Sequence, residues 1–225
     1  MSERLVDTPE GVARATTTVP VGAPVGTLVL GHGAGGLRWT DDVLRARDAA
    51  VAAGWAVVLV DQPWRVALRR VGPGPASLDR AWTAVVAAVR ADPGGGILVL
   101  GGRSAGARAA CRTAPDLRAD AVLALSFPLH PPGRPERSRS DELALPAASG
   151  IPVLVVQGRT DPFGDPAEIA AALPAGGTID AVDGPHSLEK AAEEVAVLVR
   201  RWLAVVAGEV PGGVAGEAPG AARGE

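Results

Sequence analysis

Short apolar runs recur along the chain and alternate with segments of helical periodicity. Most of the runs are nearly continuous, which is typical of strands buried on both faces of a parallel sheet. They predict strands at Ala15–Val19, Thr27–Leu30, Ala56–Val60, Ile97–Leu100, Ala121–Leu125, Val153–Val156 and Thr178–Val182. Helices are predicted at Asp41–Ala53, Ser77–Arg90 and Pro166–Leu173, with a last helix after an N-capping Ser187. The pattern predicts a doubly wound, mostly parallel α/β sheet of about seven strands with flanking helices.

The length of 225 residues suits a single domain, which we place at residues 1–207. Residues 208–225 are mainly Gly, Ala, Pro and Glu without periodicity and predict a disordered tail. The net charge of −3 gives no reason to expect a nucleic acid or membrane partner. A polar N-terminus, the lack of a membrane-length apolar run and a single cysteine favour the cytoplasm. The oligomeric state stays open.

The segment Ile97–Arg108 carries the strongest chemical signal. Four apolar residues lead into Gly102-Arg103-Ser104-Ala105-Gly106, and an Ala-rich segment follows. A G-x-S-x-G motif between a strand and a helix is typical of a nucleophile elbow, in which a tight turn projects the serine hydroxyl. Side chains at the flanking glycines would collide with the elements that cross there. Ser104 is therefore the candidate nucleophile.

A serine nucleophile needs a base and a carboxylate that orients the base. Elbow-type hydrolases carry these groups in the order Ser, Asp or Glu, His. Asp161 follows the strand at Val153–Val156, and His186 follows the strand at Thr178–Val182. The three side chains thus stand in the required order, each on a loop after a strand, and they predict a Ser104–His186–Asp161 triad.

The glycine-rich loop at Gly31–Gly36 supplies a candidate oxyanion hole. Such a hole needs one backbone N–H after the nucleophile and one from an earlier loop, which predicts Ala105 and Ala34. The same loop matches the dinucleotide fingerprint G-x-G-x-x-G, with Asp61 at the end of the next strand. Against this alternative, the helix is predicted to begin only after Thr40, well beyond the glycines that would hold a pyrophosphate.

Several motifs together resemble a known family. They are GHGAGG from Gly31, GGRSAGARAA from Gly101, FPLHPPGRP from Phe127, QGRTDPFG from Gln157 and PHS from Pro185. With these motifs the chain resembles the α/β-hydrolases, and more narrowly a small dienelactone-hydrolase-like group that includes testis-expressed hydrolase-like proteins and a chromatin-complex subunit. The resemblance implies the fold and a Ser–Asp–His triad, but no substrate. Only Leu129–Gly150 could form a lid, so no large lid domain is expected.

Each candidate site residue also has a simpler interpretation. Ser104 could be an ordinary helix N-cap. Asp161 could serve the turn before Pro162, and Asp165 is its rival as the acid. His130, in the proline-rich loop, is the rival base.

Further candidates line or surround the site. His32, Arg103 and His130 are candidate pocket-lining residues, although His32 is expected to shape the glycine loop and Arg103 to brace the elbow. A wider arginine set forms either a positively charged mouth for an acidic substrate or a solvated surface: Arg103, Arg108, Arg112, Arg134, Arg137 and Arg139. Cys111 is expected to be a buried, inert thiol. No metal-ligand spacing is present, so neither a metal nor a cofactor is predicted.

Two functions follow from the sequence. The first is a serine hydrolase, of carboxylesterase or thioesterase type, that cleaves a small ester or thioester through an acyl-enzyme. The second is a catalytically idle hydrolase-like scaffold that acts through protein partners.

Overall fold

The computed structural model describes residues 1–91 and 96–208. Its strands are β1 (Ser2–Thr8), β2 (Gly11–Thr18), β3 (Gly26–Gly31), β4 (Ala56–Asp61), β5 (Ile97–Arg103), β6 (Ala121–Leu125), β7 (Val153–Gly158) and β8 (Gly177–Val182). Its helices are α1 (Asp41–Ala52), α2 (Pro63–Val66), α3 (Pro75–Arg90), α4 (Ala105–Thr113), α5 (Ser140–Ala148), α6 (Pro166–Ala172) and α7 (Ala192–Val206). Apart from Gly208, the predicted tail lies outside the described residues.

The eight strands form one sheet in the order β1-β2-β4-β3-β5-β6-β7-β8. Strands β3 to β8 are mutually parallel, whereas β1 and β2 form an antiparallel hairpin at the β4 edge. The predicted α/β-hydrolase architecture is confirmed, with β1 as an additional strand. Strand β1 was missed because Val6 is its only buried residue, so its sequence lacks the apolar run of a central strand.

Helices cover both faces of the sheet, and this explains the continuous apolar runs. In β5, Leu98 and Leu100 belong to the core beneath α3, α4 and α5, whereas Val99 belongs to the core beneath α1 and α7. Successive strand residues point to opposite faces. When helices cover both faces, the strand residues that point to either face must therefore be apolar.

Three helical segments differ from the prediction, and the first is the four-residue α2, which was not predicted. Ser187 does not cap the last helix, because a 3₁₀ turn at Glu189–Ala191 comes first and α7 begins at Ala192. Helix α5 was missed because it lies in a proline-rich region and contains Pro146. The chain between β6 and β7 holds only a 3₁₀ turn at Pro135–Arg137 and α5, so it provides no lid domain.

Candidate active site

Ser104 lies at the tip of a strained turn between β5 and α4. Its φ of 53° and ψ of −109° are unusual for a residue with a side chain, a conformation that typically costs about 1–3 kcal/mol. A Cβ atom at Gly102 of β5 or at Gly106 of α4 would overlap the backbone oxygen of Gly31, so both elements can approach β3 here only because these positions are glycine. Ser104 occupies the N-cap position of α4, but its side chain makes no capping hydrogen bond. The simpler interpretation as an N-cap therefore does not explain this serine.

The hydroxyl of Ser104 instead contacts the imidazole of His186. Ser104 Oγ lies 2.9 Å from His186 Nε2, and His186 Nδ1 lies 2.8 Å from Asp161 Oδ2. The Asp161 side chain is fully buried, and that of His186 is 18% exposed. Because a carboxylate only accepts hydrogen bonds, Nδ1 carries the proton and Nε2 presents its lone pair to the serine hydroxyl. The three residues selected from chain order are thus joined by a continuous pair of hydrogen bonds.

Asp161 is held in place by two donors that sequence reasoning missed. The backbone N–H of Phe163 donates to Oδ1 at 2.8 Å, and Gln157 Nε2 donates to Oδ2 at 2.9 Å. Gln157 is itself buried and also donates to the backbone oxygen of Gly164 at 2.7 Å. Its only signal in the sequence is a polar residue near the end of an apolar strand, four positions before Asp161. The rival Asp165 instead caps α6 in a capping box.

The rings of Phe163 and His186 are stacked at a tilt, with centroids 4.3 Å apart. This contact restricts the orientation of the imidazole. The backbone of the histidine loop is fixed separately, since Arg103 Nη2 donates to the carbonyl oxygen of His186 at 3.0 Å. Arg103 also lies 3.4 Å from the fully buried carboxylate of Asp42 on α1. Arg103 thus braces the elbow against two other elements.

Ala34 and Ala105 line the same small cleft beside Ser104. Among the described residues, neither amide donates a backbone hydrogen bond outside the regular elements. Ala105 is also the first residue of α4, where backbone N–H groups have no partner within the helix. The two predicted oxyanion donors are therefore close together and unengaged.

His32 is buried and holds the glycine loop. Its Nε2 accepts from the backbone N–H of Gln62 at 3.1 Å, so the proton is on Nδ1, which donates to the oxygen of Gly33 at 2.8 Å. Burial lowers the pKa of His32 to about 4, because it disfavours the charged imidazole. His32 is neutral at physiological pH, has both nitrogens engaged and shapes the loop.

His130 is also buried but lies apart from Ser104. Its Nδ1 is 3.0 Å from the oxygen of Pro131, and its Nε2 is 3.2 Å from Glu168 Oε1 on α6. The structure therefore does not bring this rival base to the serine. His130 does not line the cleft that is formed by Ala34 and Ala105, whereas His32 does.

Three of the six arginines in this set form ion pairs, and Arg103 does so with Asp42. Arg108 and Arg112 both pair with Glu142, and Arg112 also pairs with Asp79, at 2.6–2.8 Å. Arg139 donates to the oxygen of Pro128, and Arg134 and Arg137 are exposed. These contacts neutralise Arg108 and Arg112 within the fold.

Other sequence expectations concern cysteine, metals and nucleotides. Cys111 is fully buried, and burial raises the pKa of its thiol to about 12, so it is protonated.

Across residues 1–91 and 96–208, no three His, Cys, Asp or Glu side chains form a group able to hold a metal ion. Helix α1 begins only at Asp41, and Asp61 pairs with Arg65 at 3.2 Å, which leaves the dinucleotide interpretation without its helix N-terminus or free acid. None of the helices in the described part of the chain could cross a membrane.

The fold and this site define an α/β-hydrolase. Residues 24–206 match the family described as the alpha/beta hydrolase domain, and the chain belongs to that family. No curated protein sequence matches the chain. The narrower resemblance to testis-expressed proteins and a chromatin-complex subunit stays a prediction.

Solved structures share the fold over most of their length. An alpha-beta serine hydrolase homologue from Coxiella burnetii has a TM-score of 0.76 at 18% identity and covers 90% of this chain and 97% of its own. A serine hydrolase without a lid from Xanthomonas campestris has a TM-score of 0.69 at 22% identity, with 89% and 94% covered. Dienelactone hydrolase from Anabaena variabilis has a TM-score of 0.72 at 21% identity, with 90% and 95% covered. At these identities the likeness establishes the fold.

Proposed function

We propose that this protein is a serine hydrolase that cleaves a small ester or thioester through an acyl-enzyme. The observation that carries the proposal is the hydrogen-bonded connection from Ser104 through His186 to Asp161, with Ser104 in a strained turn beside two unengaged amides. An idle scaffold has no need to retain this strain, which costs stability.

In the proposed reaction, Ser104 Oγ attacks the acyl carbonyl carbon while His186 Nε2 takes its proton. The carbonyl oxygen becomes an oxyanion that accepts hydrogen bonds from the N–H groups of Ala34 and Ala105. When the intermediate collapses, the carbon–oxygen or carbon–sulfur bond breaks, and the leaving alcohol or thiol takes the proton from His186. Water then attacks the acyl-enzyme with His186 as the base again, which releases the acid and restores Ser104.

Asp161 contributes by stabilising the imidazolium that forms in each step. Its carboxylate is buried, so its interaction with His186 is screened little by water. The donors Gln157 and Phe163 hold the carboxylate in the orientation that faces His186, because each donates a hydrogen bond to one of its oxygens. The same contacts fix the tautomer of His186 that accepts the serine proton.

A fluorophosphonate probe tests the proposal directly, because it forms a covalent adduct only with an activated serine. We expect a single adduct, located at Ser104 by mass spectrometry, and no adduct in Ser104→Ala. Ser126→Ala is the matched control, since Ser126 also follows a parallel strand with a positive φ of 49°, but its buried hydroxyl has no hydrogen-bond partner among the described residues. Absence of an adduct in folded protein would favour the scaffold interpretation, and a search for stably bound partners would follow.

A further inference from the structure

Two neighbouring cavities share part of their lining, and the inner one is lined by Ala34 and Ala105. The inner cleft offers only about 10 Å³ and is lined by Gly31, His32, Gly33, Ala34, Gln62, Trp64, Gly72, Leu78, Ala105, Gly106 and Ala109. The outer cavity offers about 360 Å³ and is formed by α2, the β1–β2 turn and the loop before α3. Three residues line both spaces: Gln62, Trp64 and Gly72. They form a partition between the oxyanion amides and the larger space.

The position of His186 decides which part of a substrate these cavities face. In the proposed reaction the leaving group receives its proton from His186, so it must lie on the histidine side of Ser104. His186 lines neither cavity, and neither do Asp161 and Phe163. The acyl substituent of the substrate therefore faces the inner cleft.

The partition carries two buried polar atoms that have no hydrogen-bond partner within residues 1–91 and 96–208: the amide oxygen of Gln62 and the indole N–H of Trp64. Both residues are over nine-tenths buried, at 6% and 4% exposure. The amide orientation of Gln62 is fixed, because its Nε2 donates to the carbonyl oxygen of Leu78 at 3.2 Å. Its backbone is fixed as well through His32. The partition therefore holds one acceptor and one donor that the protein itself leaves unpaired.

We infer that this partition is a specificity site for a hydroxyl group on the acyl chain of the substrate; the inference rests on the proposed function. A hydroxyl both donates, here to Gln62 Oε1, and accepts, here from Trp64 Nε1. A carboxylate cannot donate to Gln62, an ammonium group cannot accept from Trp64, and a plain alkyl chain leaves both atoms unpaired. Because a site built for a hydroxyl discriminates against the analogue that lacks it, the preferred substrates are hydroxyacyl esters or thioesters.

The dimensions of the two spaces add a steric requirement. A volume near 10 Å³ is about that of one water-sized sphere, so the chain must be unbranched where it passes the inner cleft. The outer cavity lies within the usual range for small-ligand sites and accepts the remainder of the chain. Gly72 packs closely against this edge of the partition, since a Cβ atom added there would lie 3.2–3.5 Å from the indole of Trp64.

The test compares kcat/KM for paired p-nitrophenyl esters of unbranched acids, with and without a hydroxyl at a series of chain positions. We expect a preference of about tenfold for the hydroxylated ester at one position, since each neutral hydrogen bond contributes a few-fold. Trp64→Phe keeps a six-membered aromatic ring but removes the five-membered ring with its N–H, and it should lower this preference about threefold. The preference is a ratio within one preparation, so it does not depend on the folded fraction.

Trp82→Phe is the matched control. Trp82 also has a buried, unpaired indole nitrogen but lines neither cavity, so this variant should keep the full preference. If Trp64→Phe does not fold, Gln62→Met removes the acceptor while retaining the backbone contact with His32, and it should lower the preference in the same way.

The inference would be overturned by equal rates for both members of every ester pair, or by a preference that Trp64→Phe and Gln62→Met leave unchanged. In that case, fluorophosphonate labelling of Ser104 would still support the hydrolase proposal. Absence of both labelling and ester turnover would instead overturn the proposed function, and the inference with it.

Discussion

Arg103 Nη2 donates a hydrogen bond to the carbonyl oxygen of His186, 83 residues away in the sequence, at 3.0 Å. The contact joins the nucleophile turn to the histidine loop without using either reactive side chain. Because Arg103 also approaches the buried Asp42 at 3.4 Å, the elbow, the histidine loop and α1 are held by one guanidinium. The separation between Ser104 and His186 therefore depends on a residue that touches neither reacting atom.

Replacing Arg103 should impair the site as well as the fold, because it also leaves the buried carboxylate of Asp42 without its ion-pair partner. Arg103→Met releases the His186 backbone, and displacement of a catalytic group by about 1 Å can cost about 10²-fold in rate. We expect fluorophosphonate labelling of Ser104 to slow by about this factor. Arg108→Met, which breaks the ion pair with Glu142 instead, should lower the melting temperature without slowing the labelling of folded protein. Equal labelling rates in the two variants would contradict the bracing role.

Asp161 and Asp165 should respond differently to the same substitution. Asp161→Asn replaces the acceptor for His186 and favours the wrong imidazole tautomer, so kcat should fall about 10⁴-fold. Asp165→Asn affects only the capping box of α6, with at most about 1 kcal/mol of stability at stake. Ester turnover and urea denaturation measure the two effects. A large loss of activity in Asp165→Asn alone would move the acid to the rival position.

Gly106→Ala should destabilise the protein because the added methyl group meets the backbone of Gly31, which cannot rotate away. Overpacking of this kind typically costs about 1–3 kcal/mol. Gly35→Ala is the matched control, since nothing lies within 4 Å of the added atom. We expect urea denaturation to show a lower free energy of unfolding for Gly106→Ala and little change for Gly35→Ala. Equal stability of the two variants would disprove the close approach of β3 and α4.

Stability should depend on pH through His32. Its pKa is about 4 in the folded protein and near 6.5 when unfolded, so between these values the unfolded chain binds more protons. The stability linked to neutral His32 is therefore fully present above pH 6.5. As the pH falls towards 4, the free energy of unfolding decreases by about 3 kcal/mol, at 1.4 kcal/mol per pKa unit.

Urea denaturation at pH 7.5 and pH 4 measures this loss. His32→Asn should reduce the difference between the two pH values, because it removes the titrating group, whereas His130→Asn should leave the His32 contribution in place. A difference that His32→Asn leaves intact would assign the pH dependence to other groups.

The sequence determined the parallel sheet, because strands covered on both faces must be apolar at successive positions, as Leu98 and Val99 are. It also selected Ser104, Asp161 and His186, because the carboxyl ends of parallel strands meet at one edge of the sheet. These are regularities of local pattern and chain order.

Only the tertiary structure decided the rest. Strand β1 gains its place by pairing with β2, not by its own composition, and the 3₁₀ turn before α7 displaced the cap expected at Ser187. Gln157 beside Asp161, Arg103 beside His186, and the unpaired atoms of Gln62 and Trp64 are defined by three-dimensional neighbours. A single polar residue in a sequence gives no sign of its partner, since that contact depends on how distant strands and loops pack together.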